Sequence, residues 1–109
     1  MNQATVLSHI HDEIDSITKQ IVSRYAPLKI IIFGSQAKGT ATKRSDIDIC
    51  IVNDTDYKRV LLADMYLNIN SSKPFDLLLY TEAEWNYCVN DCTSFAYLIN
   101  KKGIVVYDR

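Results

Sequence analysis

The sequence predicts an α+β fold in which a mixed β-sheet carries helices mainly on one of its faces. Three observations predict it. Near the N-terminus, apolar residues recur at three- and four-residue steps, the period of an amphipathic helix. Short apolar runs of strand length then alternate with helix-like segments along the chain. The connection between the first two apolar runs is a loop typical of a hairpin-like pair, whereas helices join the later ones.

The first half of the chain predicts two helices and two strands. An amphipathic helix is expected over residues 3–25, ended by Pro27. Residues 28–33 are almost continuously apolar, which predicts a strand buried on both faces. A short helix over residues 35–38 and a second strand over residues 46–52 follow.

The second half predicts the segments helix 57–70, strand 75–80, helix 81–90, a further helix ending near residue 102, and strand 104–107. Thr81 and Glu84 have the spacing of a capping box at the start of a helix. Thr93 or Ser94 is expected to cap the next helix, with Gly103 as the residue just beyond its C-terminus.

Composition bounds the classes of protein that the chain can represent. A length of 109 residues predicts a single domain over residues 1–109. The net charge of −1 disfavours a general nucleic-acid binder, which is usually basic. The apolar runs are too short to cross a membrane, and the polar N-terminus does not have the pattern of a signal peptide. The 3 cysteines lack a disulfide-framework spacing, which predicts a reducing, cytoplasmic location.

The most informative motif joins the ends of the first two predicted strands. Gly34-Ser35 ends the first strand, and after ten further residues Asp46 and Asp48 open the second. Alternation along a strand places Asp46 and Asp48 on one face, with Cα atoms roughly 6–7 Å apart. Carboxylates this close raise each other's pKa unless a cation relieves the repulsion, and oxygen ligands suit Mg²⁺ or Mn²⁺. The motif therefore predicts a phosphate-binding loop beside a metal site.

Further candidate residues surround this motif. Asp76 lies within an apolar run, where a charge is costly unless it is paired or metal-bound. Ser45 either caps the second strand or contacts a phosphate. Lys38, Lys43 and Arg44 make the loop cationic, and each is either a solvated loop charge or a phosphate ligand.

The Gly-Ser, ten-residue, Asp-x-Asp pattern resembles the signature of the DNA polymerase β-like nucleotidyltransferases. The small size resembles the minimal nucleotidyltransferase (MNT) family, the antitoxin-type partners of HEPN toxins. Family members often carry Arg where this chain has Gln36 and Lys38. The positions that fit the family pattern are Gly34, Ser35, Gly39, Ser45, Asp46, Asp48, Asp76 and a terminal strand at residues 103–107.

This resemblance implies the polymerase β-like fold, ATP as a substrate and two Mg²⁺ ions, with Mn²⁺ able to substitute. It implies that the catalytic and metal-binding residues are Asp46, Asp48 and Asp76. The nucleotide-binding residues would be Gly34, Ser35, Ser45 and Lys43. In this interpretation Asp76 also assists deprotonation of the acceptor hydroxyl.

Three functions are compatible with these features. The first is transfer of AMP from ATP to a hydroxyl of a partner protein, which the resemblance implies is a HEPN-type toxin. In its favour, the catalytic fold uses the whole length, which leaves no large helical domain to hold a small acceptor. The second is a non-catalytic antitoxin that masks its partner, which would not need three costly acids. The third is a small-molecule nucleotidyltransferase that acts as a homodimer.

Overall fold

The computed structural model describes residues 3–42 and 44–109, with side chains described from residue 11 onward. The predicted nucleotide contact from Lys43 lies outside the described residues. In chain order the elements are α1 (Gln3–Tyr25), β1 (Lys29–Phe33), α2 (Ser35–Lys38), β2 (Ile47–Val52), α3 (Lys58–Asn68), β3 (Phe75–Tyr80), α4 (Glu82–Cys88), α5 (Phe95–Lys102) and β4 (Ile104–Asp108).

The helix and strand predictions are confirmed, with ends that shift by one or two residues. The predicted capping box of α4 is present. The Thr81 hydroxyl accepts the Glu84 N–H at 3.2 Å, and the Glu84 carboxylate accepts the Thr81 N–H at 2.9 Å. Ser94, rather than Thr93, caps α5, because its hydroxyl accepts the Tyr97 N–H at 3.1 Å. The Ser94 hydroxyl also donates to the Cys88 carbonyl, so one side chain joins the end of α4 to the start of α5.

The four strands form a mixed sheet in the order β3-β2-β1-β4. Strand β1 runs antiparallel to β2 and to β4, while β2 and β3 are parallel and connected through α3. The register places Phe33 opposite Asp48 and Asp48 opposite Asp76. Residues in register on neighbouring strands project from the same face, so these three side chains share one face near one end of the sheet.

The longer helices α1 and α3 cover one face of the sheet and build the larger core. This core contains buried residues from α1, α3 and the three strands β1, β2 and β3, among them Ile21, Met65, Ile30, Ile49 and Leu79. The prediction that helices lie mainly on one face holds for these two longer helices only, because the strands bury apolar residues on both faces. The shorter α4 and α5 lie on the opposite face, where a smaller core contains Ile31, Cys50, Val52, Trp85, Ala96 and Ile99.

The glycine that ends α5 has a different role from the one that the sequence predicts. Gly103 has φ −74° and ψ 167°, so it does not adopt the left-handed conformation of a typical helix C-terminus. A Cβ atom there would lie 2.5 Å from Ile31 Cγ2 and 2.5 Å from the Ile99 carbonyl oxygen. Glycine is therefore required by the close approach of the chain to β1, which brings α5 against the sheet.

The outer edge of β3 is covered by a side chain from α3. The Tyr66 hydroxyl accepts the Leu77 N–H at 2.8 Å, and the Tyr66 ring stacks on Phe75 with centroids 5.6 Å apart. Because β3 is an edge strand, its outward N–H groups have no partner strand. Tyr66 thus fixes α3 to the strand that carries Asp76.

Among the described helices, none is both long and apolar enough to span a lipid bilayer.

Candidate active site

The chain turns sharply at Gly34, where β1 ends and α2 begins. Gly34 has φ 72° and ψ −147°, a combination that is essentially restricted to glycine. The single turn of α2 follows and ends at Gly39, which adopts the left-handed conformation with φ 74°. The Ser35 carbonyl accepts the Thr40 N–H at 3.1 Å. Two glycines therefore set the path of the loop that carries Ser35.

Gly34 lies directly against the carboxylate of Asp48. A Cβ atom built at Gly34 would overlap Asp48 Oδ2 and lie 3.3 Å from Asp48 Cγ. The loop after β1 and the acid on β2 are therefore in contact because residue 34 has no side chain. A backbone that approaches this closely, with no side chain in between, is the arrangement expected where a loop binds phosphates beside a carboxylate.

The structure brings the three predicted carboxylates into one region. Asp48 lies within β2 and pairs in register with Asp76 on β3, while Asp46 lies just before β2. Burial raises the pKa of Asp48, and the negative charges of Asp76 and Asp46 raise it further. Asp46 and Asp76 are exposed and Asp48 is partly buried. Folding therefore favours the protonated form of Asp48 over its ionised form.

The donor set fits a hard divalent cation, although the side chains as they stand do not form a closed site. Carboxylate oxygens are the ligands that Mg²⁺ and Mn²⁺ favour. A cation would also relieve the repulsion that raises the pKa of Asp48. Among the described side chains, those of residues 11–42 and 44–109, no group of three or more His, Cys, Asp or Glu is arranged to hold a metal ion. Asp46, Asp48 and Asp76 are the residues that would hold one.

Ser45 takes part in a local turn before β2. Its hydroxyl accepts the Thr42 N–H at 2.9 Å, and its N–H donates to the Thr42 carbonyl at 3.1 Å. The sequence left open whether Ser45 caps the second strand or contacts a phosphate, and these hydrogen bonds place it in a structural turn before that strand. The hydroxyl oxygens of Ser45 and Thr42 also lie 3.4 Å apart.

Cys50 lies on the same face of β2 as Asp48, two residues further along the strand. It is buried in the smaller core, and burial raises the pKa of its thiol to about 12. A thiol with such a pKa stays protonated and unreactive at neutral pH. Cys50 therefore packs beneath the site and provides no nucleophile.

A cavity of about 420 Å³ opens beside Asp48. One side is formed by the end of β1 and by α2, and the other by α5. The residues that line it are Phe33, Gly34, Ala37, Lys38, Asp48, Phe95, Leu98, Ile99, Lys102 and Gly103. The candidate phosphate loop and the central carboxylate thus belong to a larger concave site.

Sequence reasoning missed the α5 wall of this cavity. Phe95, Leu98 and Lys102 are spaced at three and four residues, so they fall on one stripe of the helix. The sequence shows this spacing, but the spacing indicates a cavity wall only when the position of α5 against β1 is known. Ser35, Ser45, Asp46 and Asp76 do not line the cavity.

The comparisons with known proteins agree with this geometry. The family model for polymerase beta nucleotidyltransferases matches residues 15–109. A Methanocaldococcus jannaschii protein named "Putative protein adenylyltransferase" is 35% identical over 79 residues, which cover 72% of this chain and 77% of that protein.

A solved structure has the same fold. It is the crystal structure of a protein from Sulfolobus solfataricus described as a "putative nucleotidyltransferase". The two chains superpose with a TM-score of 0.64 at 22% sequence identity, over 100% of this chain and 91% of the other. At this identity the likeness establishes the fold, which is that of the polymerase β-like enzymes.

Proposed function

This chain belongs to the polymerase beta nucleotidyltransferase family, and from that membership we propose that it transfers AMP from ATP to a hydroxyl group of a partner protein. Nucleotidyl transfer is the activity of the family. The Mg²⁺ dependence, the choice of ATP and the protein acceptor are the proposed refinements.

The observation that carries the proposal is the position of Asp48 between the glycine loop and Asp76. Gly34 contacts Asp48 on one side, and Asp76 lies opposite Asp48 on the neighbouring strand on the other. A triphosphate bound by the loop and a hydroxyl beside Asp76 would therefore meet at Asp48. Reactants held in a fixed mutual orientation react far faster than free ones.

The side chains have distinct roles in this reaction. Asp46, Asp48 and Asp76 would hold divalent cations, which neutralise charge on the phosphates and on the attacking oxygen. Asp76 is exposed at the edge strand and would accept the proton of the acceptor hydroxyl. The acceptor oxygen forms a bond to the α-phosphorus, the bond from the α-phosphorus to the bridging oxygen breaks, and pyrophosphate leaves. The first N–H groups of α2 have no partner within the helix, so they can donate to phosphate oxygens.

A protein acceptor is supported by the name of the Methanocaldococcus jannaschii relative. The resemblance to MNT antitoxins extends the proposal to a HEPN-type toxin as the partner, whose modification would silence it. In the masking alternative the partner is bound and inhibited without being modified. In the small-molecule alternative, nucleotide is consumed with no protein product.

Intact-mass analysis separates these outcomes. The chain is incubated with ATP and Mg²⁺, with and without the product of the neighbouring open reading frame. We expect the partner to gain about 329 Da for each AMP transferred, and the gain to disappear in EDTA. Asp76→Asn should still co-purify with the partner but leave its mass unchanged. The matched control is Asp56→Asn, which changes an exposed acid in the loop before α3 and should transfer AMP normally.

A partner that is inhibited by the wild-type chain with no gain in mass would overturn the enzymatic proposal in favour of masking.

A further inference from the structure

The cavity beside Asp48 extends away from Asp76. The strand order β3-β2-β1-β4 places Asp76 on one side of Asp48, whereas the cavity is lined by Phe33 and Gly34 on the other side, together with α5. The acceptor hydroxyl must reach Asp76 in the proposed reaction. The cavity therefore lies on the side of Asp48 that the acceptor does not need.

The α5 wall of the cavity is apolar and open. Phe95 and Leu98 are 54% and 47% exposed, although both are large apolar residues next to a charged site. The Phe95 ring packs edge-on against Phe33, with ring centroids 5.5 Å apart and planes at 87°. This contact holds Phe95 in place, while half of its surface stays open for a ligand. Flat aromatic ligands bind well to such a surface.

We propose that this α5 wall, formed by Phe95, Leu98 and Lys102, binds the base and ribose of the substrate nucleotide. The assignment rests on the proposed function, because it names the part of the nucleotide that the cavity receives. The volume of about 420 Å³ lies within the usual range of roughly 300–1,000 Å³ for small-molecule sites.

The charges around the cavity match a nucleotide better than an acceptor side chain. Lys38 at the end of α2 and Lys102 at the end of α5 both line it, and both are exposed. Two ammonium groups complement a polyphosphate that passes from Gly34 towards the apolar wall. A neutral hydroxyl acceptor would gain little from them.

The lining also predicts how bases are distinguished. Of the ten described residues that line the cavity, none has a side-chain hydroxyl or amide. The base is therefore held mainly by stacking and shape rather than by hydrogen bonds to its edge. Purines, which offer the larger π-face, should bind more tightly than pyrimidines, and ATP and GTP should differ little.

Calorimetry with two ligands tests the assignment. ATP and inorganic tripolyphosphate, each with Mg²⁺, are titrated into the wild-type chain and into Phe95→Ala and Leu98→Gln. We expect each substitution to weaken ATP binding by about tenfold, the size of one lost aromatic or apolar base contact, and to leave tripolyphosphate binding unchanged. Leu67→Ala on α3 is the control, because Leu67 is 83% exposed and lies outside the cavity lining.

The two ligands keep the failure of this inference apart from failure of the proposed function. Unchanged ATP binding in both α5 variants would overturn the nucleoside assignment while the proposed function stands. If the wild type binds neither ligand, both fail. Thermal melting confirms that each variant is folded, and the partly exposed Leu98 provides a second test should Phe95→Ala unfold. Tighter binding of CTP than of ATP would also contradict the assignment.

Discussion

The two faces of the sheet are built from the same strands, but one face forms the larger core and the other carries the candidate site. On the face covered by α1 and α3, the strand residues are apolar and buried. On the opposite face, apolar residues such as Cys50 and Val52 are buried only beneath α4 and α5. Towards the Gly34 end, that face carries Asp48 and Asp76 and opens into the cavity.

Strand β2 shows how closely the two roles are interleaved. Ile47 and Ile49 are fully buried in the larger core, and Asp48 between them lies on the other face. Alternation along a strand separates the two sets of side chains completely. A shift of the register by one residue would bury Asp48 in the core, so the position of the site depends on the same pairing that forms the core.

Substitution of neighbouring residues on β2 gives the largest expected contrast. Ile49→Ala should lower the free energy of unfolding by about 2–5 kcal/mol, because it leaves a cavity in the larger core. Asp48→Asn should lower the transfer rate by about a thousandfold, since it removes a preorganised charge, but should not lower stability. Urea unfolding and the intact-mass assay measure the two effects. A large loss of stability in Asp48→Asn would show that the site face also contributes to stability.

Gly34 and Gly39 of the site loop separate the cost of an unfavourable backbone conformation from the cost of a clash with a neighbouring side chain. Gly34→Ala and Gly39→Ala both place a side chain at positive φ, which costs on the order of 1–3 kcal/mol. A Cβ atom at Gly39 has no neighbour within 4 Å, whereas at Gly34 it overlaps Asp48. Gly34→Ala should therefore be the more destabilising, and it should weaken ATP binding more. The additional Asp48→Ala substitution should recover part of the difference in urea unfolding. An equal loss of stability in Gly34→Ala and Gly39→Ala would contradict the contact between Gly34 and Asp48.

The smallest expected effect is on the pH dependence of stability. Because the pKa of Asp48 is raised in the folded chain, its protonated form favours folding. This contribution is fully present below the pKa of an unfolded Asp and is lost as the pH rises through the raised pKa. In EDTA, Asp48→Asn should be more stable than the wild type at neutral pH, and the difference should shrink as the pH falls below the raised pKa. Thermal melts of both proteins from pH 3 to pH 7 measure it. A stability difference between Asp48→Asn and the wild type that grows as the pH falls would contradict a raised pKa of Asp48.

The sequence predicted the elements well because their signals are local. The period of the apolar residues in α1, the capping box at Thr81 and the alternation around Asp48 each depend on a few neighbouring residues. Spacing also linked the Gly34 loop to Asp46 and Asp48, whereas Asp76 was noticed as a charge within an apolar run. The structure puts Gly34 against Asp48 and pairs Asp48 in register with Asp76.

The cavity wall could not be predicted because α5 carries two adjacent apolar stripes. Ala96 and Ile99 are buried in the smaller core, and the exposed Phe95 and Leu98 line the cavity, which Ile99 also reaches. Both stripes satisfy the helical period, so only docking against β1 distinguishes them. That docking depends on the close approach at Gly103, which the sequence indicated only as a helix end.

The contact between Tyr66 and β3 has a consequence for how a second polypeptide could be received. An extended segment that added to this sheet beside Asp76 would need the outward Leu77 N–H, which already donates to the Tyr66 hydroxyl. Strand addition at this edge would require the phenol to leave. A target is therefore more readily presented as a side chain from its own folded surface than as an unfolded peptide. The same contact protects an edge strand against self-association between copies of the chain.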